Sequence, residues 1–263
     1  MLIEQPDFIE AGHGGTVVLI HSSVAGAKQW RGLMKVLSND YHVVAINLFG
    51  YGTTPGWNEG KTQTLRDQAQ LVEPFLPADG TKVSIVGHSF GGSVAMKAAQ
   101  LYKDRVRRLV LIEPNPFYLL REQGCHEAYA EAVSLRDTIK ECGSAERWEV
   151  AAEKFANYWA GPGSWNEMPD DRKTKFAQAL KPNFFEWDAV MHEDTPFTEW
   201  SQVLPRDTTV ISSADTVRTI KEIVQLMEGH FPEWTFDTVA QGGHMAIRSK
   251  PEEVNPIVAG ALR

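Results

Sequence analysis

The stretch KVSIVGHSFGGSVAMKAA, residues 82–99, constrains the fold more than any other part of the chain. An apolar, β-branched run stops at Gly87, His88, Ser89, Phe90 and Gly91, and a small-residue helical pattern begins at once. A serine between two near glycines at such a junction predicts a sharp, strained turn in which side-chain bulk on either flank is not tolerated. That turn lifts the Ser89 hydroxyl above the end of the strand, beside the free N–H groups of a helix N-terminus. A capping serine in an ordinary strand-to-helix turn is the plainer alternative. The apolar run before the motif and the small residues after it favour a nucleophile.

The pattern around this stretch predicts a parallel sheet. TVVLIHS (16–22), HVVAINL (42–48), KVSIVGH and RRLVLIEP read as buried strands, separated by helical segments that carry Trp30, Leu33 and Leu37, then Leu65, Ala69 and Val72. Thr64 is placed to cap the second helical segment. Strands alternating with helices of this length place helices on both faces of a sheet. The alternation stops after Pro114. From 117 to 204 only amphipathic helical stretches appear, and five of the eight tryptophans fall there. It resumes with TTVISSAD (208–215), VRTIKEIVQLM and EWTFDTVA. The expected organisation is a core of residues 1–116 and 205–263 with an inserted helical lid at 117–204.

A serine hydroxyl needs a base. Among eight histidines, His244 in QGGHMAI follows the last strand and two glycines, which puts it on a loop at a strand end. His21 and His88 sit at strand ends beside the nucleophile, where orienting or structural roles suit them, and both are also candidates for the substrate pocket. The base needs a carboxylate to hold its tautomer and to stabilise the imidazolium. Two carboxylates end neighbouring strands: Asp215 in ISSAD, the favoured choice, and Glu113 in LIEP, the alternative. An oxyanion needs N–H donors. The amide of Phe90, directly after the nucleophile, and that of Ser23, in the loop after the first long strand, are the candidates. Trp159 and Trp187 are candidates for the pocket wall, or equally for the lid's own small core.

Composition narrows the function classes. A formal charge of -8 disfavours a nucleic-acid partner, and no apolar run reaches membrane-span length. No secretory signal is visible at the N-terminus, and Cys125 and Cys142 read as free thiols, which together predict a cytoplasmic protein. CHEAYAE lacks the two-histidine zinc pattern, and GHGGT precedes a strand instead of following one. No metal and no organic cofactor is expected. The expected partner is a small-molecule substrate, and the protein a monomer or homodimer.

VVLIHSS, INLFGYGTTP, GHSFGG and GGHMA, in that order, resemble the strand-loop, glycine-rich loop, nucleophile elbow and histidine loop of the α/β-hydrolase superfamily, in its lid-bearing branch of esterases, lactonases and carbon–carbon bond hydrolases. Ser22 stands where that family usually has glycine, and ISSAD lacks the glycine usual before the acid. The resemblance implies an α/β-hydrolase fold and the order Ser89, Asp215, His244, although some relatives take their acid from the strand that Glu113 ends. The expected function is serine-dependent hydrolysis of a small, largely apolar ester or lactone. Carbon–carbon bond hydrolysis, a cofactor-free dioxygenase or perhydrolase, and a small-molecule receptor are the alternatives.

Overall fold

Among residues 5–263, which the computed structural model describes, the strands are β1 (Phe8–Ala11), β2 (Gly15–Ile20), β3 (Tyr41–Ile46), β4 (Val83–His88), β5 (Val106–Ile112), β6 (Thr208–Ser213) and β7 (Thr235–Val239). Residues 1–4, assigned from the sequence to the core, lie outside the described residues. One sheet orders the strands β1-β3-β2-β4-β5-β6-β7. β1 runs antiparallel to β3, and every other pair is parallel. The short β1, FIEA, was not anticipated from sequence; four residues of mixed polarity carry no usable period.

The chain goes from β2 outward to β3, then crosses back over β2 to β4 and continues to the far edge. The reversal lies between β2 and β4. In open sheets of this kind, ligands bind at the carboxyl ends of the strands that flank such a point. The nucleophile candidate follows β4, and the loop with Ser22 and Ser23 follows β2.

Both faces of the sheet are buried over β2 to β5, which is why those strands are nearly continuous apolar runs. Val18, Ile20, Val44, Ile46, Ile85 and Leu111 pack on one side with α2 (Leu65–Ala69) and α3 (Phe90–Tyr102). Val17, Leu19, Val43, Val86, Val110 and Ile211 pack on the other, against α1 (Arg31–Leu37) and helices near the C-terminus. Thr64 opens α2 with a capping box: its hydroxyl accepts the Asp67 N–H while the Asp67 carboxylate accepts the Thr64 N–H. Such a cap contributes about 1 kcal/mol. The helical segment expected to carry Leu65, Ala69 and Val72 is a short α-helix followed by a 3₁₀ stretch over Gln70–Phe75, because Pro74 removes a backbone donor.

Between β5 and β6 the chain forms α4 (Tyr118–Glu122), α5 (His126–Ser144), α6 (Trp148–Trp159), α7 (Asp170–Ala179), α8 (Asn183–Met191) and α9 (Phe197–Val203). After β6 come α10 (Arg218–His230), α11 (Ala246–Ser249) and α12 (Pro251–Ala261). The α4–α9 segment is fastened to the sheet layer by the half-buried pair of Lys97 on α3 with Glu193, at 3.0 Å, and by a second polar cluster at α8 described below. None of the described helices is long and apolar enough to cross a membrane.

Candidate active site

The turn after β4 owes its shape to close approach. A Cβ on Gly87 would lie 2.2 Å from the Gly91 carbonyl oxygen, and one on Gly91 would lie 2.2 Å from the Ile20 carbonyl oxygen. Helix α3 therefore starts almost in contact with the ends of β2 and β4. Ser89 is forced to φ 54°, ψ -119°, and its N–H is tied to the Ile112 carbonyl of β5 at 2.9 Å. A non-glycine residue at such a φ costs on the order of 1–3 kcal/mol. The cost is met by the packing of three strand ends around it, and its product is a hydroxyl held in one direction.

His244 stands opposite, buried at 3% exposure. Its Nε2 lies 2.8 Å from Ser89 Oγ. Its Nδ1 lies 3.1 Å from Glu113 Oε2. Glu113 directly follows β5, with φ 49° and its N–H on the Ile211 carbonyl at 2.9 Å. Its carboxylate also accepts the Ser213 N–H at 2.6 Å and the Thr216 hydroxyl. The side chain is thus held by three donors and is 1% exposed.

Asp215, the favoured acid from sequence, does not contact the imidazole. It lies exposed beyond the end of β6 and accepts the N–H groups of Gly243 at 2.8 Å and Gly242 at 3.2 Å, with the Ser213 hydroxyl as a further donor. These donors hold its pKa below the ordinary carboxylate value. The physical reason for the difference is position. Glu113 ends the strand next to the nucleophile's own, with one more methylene of reach, whereas Asp215 is two residues past β6 and faces the backbone of the histidine loop. Asp215 fastens the loop that carries His244, and Glu113 meets the ring.

Burial governs the electrostatics of the pair. It pushes Glu113 up to about 7, with the Thr216 and Ser213 hydrogen bonds opposing the rise. It pushes His244 down to about 3, so the ring rests neutral, the form a base requires. His88, pushed to about 3 by burial, points away from the reacting centre. Its Nε2–H donates to the His244 carbonyl at 2.9 Å, and its Nδ1 accepts from the Gln29 amide at 3.1 Å. Gln29 Oε1 in turn accepts the Ser22 hydroxyl at 2.7 Å and, more weakly, the Ser22 N–H at 3.3 Å. His88 therefore links the loop after β2 to the loop carrying His244. His21, pushed down to about 4 by burial, bridges the Ser22 carbonyl at 2.8 Å and the Leu48 N–H at 3.1 Å. Both are scaffold within the site, and neither lines the cavity.

The N–H of Phe90 is the first of α3 and has no carbonyl one turn back to bond. In the loop after β2, the N–H of Ser22 goes to Gln29 and that of Val24 to the Tyr51 hydroxyl at 3.0 Å. The Ser23 N–H between them has no acceptor among the described residues. Both residues line a cavity with Ser89 and His244. Its apolar wall is Phe117, Phe155, Trp159, Trp187, Val190 and Met245. Trp159 lies against the His244 ring at 4.1 Å between centroids, and Trp187 stacks on Phe117 at 5.3 Å. Each tryptophan is both buried and cavity-lining. Among the described residues no group of three or more His, Cys, Asp or Glu is placed to hold a metal ion.

Comparison with known proteins agrees with this architecture. The pattern of the Alpha/beta hydrolase family matches residues 17–257. The chain belongs to that family. Over 111 residues it is 37% identical to the 2-hydroxy-6-oxo-6-(2'-aminophenyl)hexa-2,4-dienoic acid hydrolase of Metapseudomonas resinovorans, a match covering 40% of this chain and 37% of that one. It is 27% identical over 172 residues to the pimeloyl-acyl-carrier-protein methyl ester esterase of Aliivibrio salmonicida, across 65% of this chain and 61% of the relative. The enol-lactonase from Burkholderia xenovorans LB400 shares the fold, with a TM-score of 0.77, 14% identity and coverage of 97% of this chain and 95% of the other. The two sequence matches span under two thirds of those relatives' lengths.

Proposed function

We propose that this hydrolase cleaves a small, largely apolar ester or lactone through an acyl-enzyme on Ser89, with His244 as base and Glu113 as its acid partner. The observation that carries the reading is the unbroken line from Ser89 Oγ through His244, 2.8 Å on one side of the ring, to Glu113, 3.1 Å on the other. Ser89 Oγ attacks the carbonyl carbon while Nε2 of His244 takes its proton. The Glu113 carboxylate, bonded to Nδ1–H, stabilises the imidazolium that forms. Negative charge on the carbonyl oxygen is taken by the N–H groups of Phe90 and Ser23. The imidazolium then protonates the leaving oxygen, and a water deprotonated by His244 attacks the acyl carbon and frees Ser89. Residues 117–204 act as a lid whose aromatic residues form the apolar side of the pocket.

A second reading is carbon–carbon bond hydrolysis, favoured by the match to the dienoic acid hydrolase, whose named substrate contains no ester. The experiment is turnover of p-nitrophenyl esters of increasing acyl length by the wild type, Ser89→Ala and His244→Ala. Each variant is expected to lose activity by about 10³-fold or more while staying folded. Turnover retained in either variant overturns the assignment. A wild type inert to every ester but active on a 2-hydroxy-6-oxo-dienoic acid selects the second reading.

A further inference from the structure

One buried carboxylate has no part in the reaction just described. Glu186, in the first turn of α8, is 1% exposed and pairs with no cation among the described residues. Three neutral donors hold it instead. Ser23 donates its hydroxyl to Oε2, the Asn183 amide donates to the same oxygen at 2.9 Å, and the Tyr51 hydroxyl donates to Oε1 at 2.8 Å. The Asn183 amide also reaches Ser23 Oγ at 3.2 Å. Tyr51 passes the contact on, because its oxygen accepts the Val24 N–H at 3.0 Å.

The loop after β2 is therefore gripped on both sides of the Ser23 amide: at the Ser23 side chain directly, and at the Val24 backbone through Tyr51. That loop needs holding. Val24 sits at φ 68°, a conformation that is a true outlier for a β-branched residue and persists only where its surroundings impose it. The helix that supplies the carboxylate is itself seated on the loop after β3. A Cβ on Gly50 would lie 2.7 Å from the ring of Pro182, the residue before α8.

We propose that Glu186 is a positioning residue that sets the direction of the Ser23 N–H, so that the docking of α8 completes the oxyanion site. The proposal rests on the serine hydrolase reading and adds to it a long-range dependence. A carboxylate 163 residues away in the chain, in the helical segment, governs how well charge is stabilised at the sheet edge. Its effect belongs to the transition state, because the oxyanion N–H groups bond most strongly to the oxygen that carries developing charge.

The test is steady-state turnover of p-nitrophenyl butanoate, with inhibition by phenylboronic acid, in wild type, Glu186→Leu, Tyr51→Phe and the double variant. Tyr51→Phe keeps the ring and removes only the relay, so it serves if Glu186→Leu fails to fold. Each single variant is expected to lower kcat by about 10²-fold with KM within a few-fold, as a displaced catalytic group does. Boronate affinity is expected to fall in parallel, since the adduct on Ser89 uses the same N–H groups. The double variant is expected to cost little more than the worse single one. Glu186 also lines the cavity, so a raised KM with unchanged kcat makes its role contact with the bound substrate and overturns the proposal. A lowered melting temperature with unchanged kcat and boronate affinity makes it scaffold and also overturns it. A wild type that neither turns over the ester nor binds boronate is a failure of the serine hydrolase reading itself.

Discussion

The ends of β5 and β6 lie side by side and each is followed by a carboxylate, yet the two side chains are held in different ways. After β5, Glu113 is buried at a positive φ, held by three donors, and raised in pKa by burial. After β6, Asp215 is exposed and lowered in pKa by the hydrogen bonds it accepts. The first arrangement is unfavourable locally, since a carboxylate loses hydration and a backbone angle is strained. The second is favourable locally. A chain that needed only a loop anchor has no use for the first, and that is where Nδ1 of His244 makes its contact. Strain and a raised pKa mark the carboxylate suited to chemistry, and easy satisfaction marks the one suited to structure.

That contrast can be broken experimentally. The largest expected effect is Glu113→Gln, which keeps the shape and removes the charge that stabilises the imidazolium in the proposed mechanism. Turnover is expected to fall by about 10²–10⁴-fold, measured as kcat on an ester the wild type accepts. A fall of only a few-fold would return Asp215 to candidacy. Next is the pH profile. In the proposed mechanism the competent form has Glu113 ionised and His244 neutral, so kcat/KM of the wild type is expected to rise with pH through about 7 as the pair gives up its proton. In Glu113→Gln that carboxyl no longer titrates, and burial holds the imidazole low. The acid limb of the variant should therefore move to lower pH. An upward move, or none, would mean that Glu113 is not the group behind the limb. The smallest effect is Asp215→Asn. The one amide oxygen of Asn can still accept the Gly243 N–H, and water reaches the Gly242 N–H that loses its acceptor, so no more than about 1 kcal/mol of stability is expected to be lost. A chemical denaturation curve measures this, and a loss above about 3 kcal/mol would show that the loop anchor bears more of the fold than its exposure suggests.

Much of this was legible in the chain itself. The central parallel strands β2 to β5 announce themselves as apolar, β-branched runs, because burial on both faces removes polar positions. The Ser89 turn was legible because close approach admits only glycine at 87 and 91. His244 was legible as the histidine on a loop following the last strand. The choice between Asp215 and Glu113 was not, since both end strands and only the backbone direction after the last residue decides which carboxylate turns toward the ring. The signal available was an acidic residue closing an apolar strand before two prolines, in LIEPNP. The links through His88, Gln29 and Ser22, and through Glu186, Tyr51 and Ser23, join residues from separate elements across the fold. No local period or motif encodes such meetings.

The most direct measurement of the central claim is the rate at which a fluorophosphonate labels Ser89, followed by intact mass, in wild type, Glu113→Gln and Asp215→Asn. The reagent reports the activated hydroxyl without requiring the natural substrate. Labelling of a single site is expected, lost in Ser89→Ala, slowed by about 10²-fold or more in Glu113→Gln, and within a few-fold of wild type in Asp215→Asn. Labelling slowed by Asp215→Asn and left intact by Glu113→Gln would contradict the account.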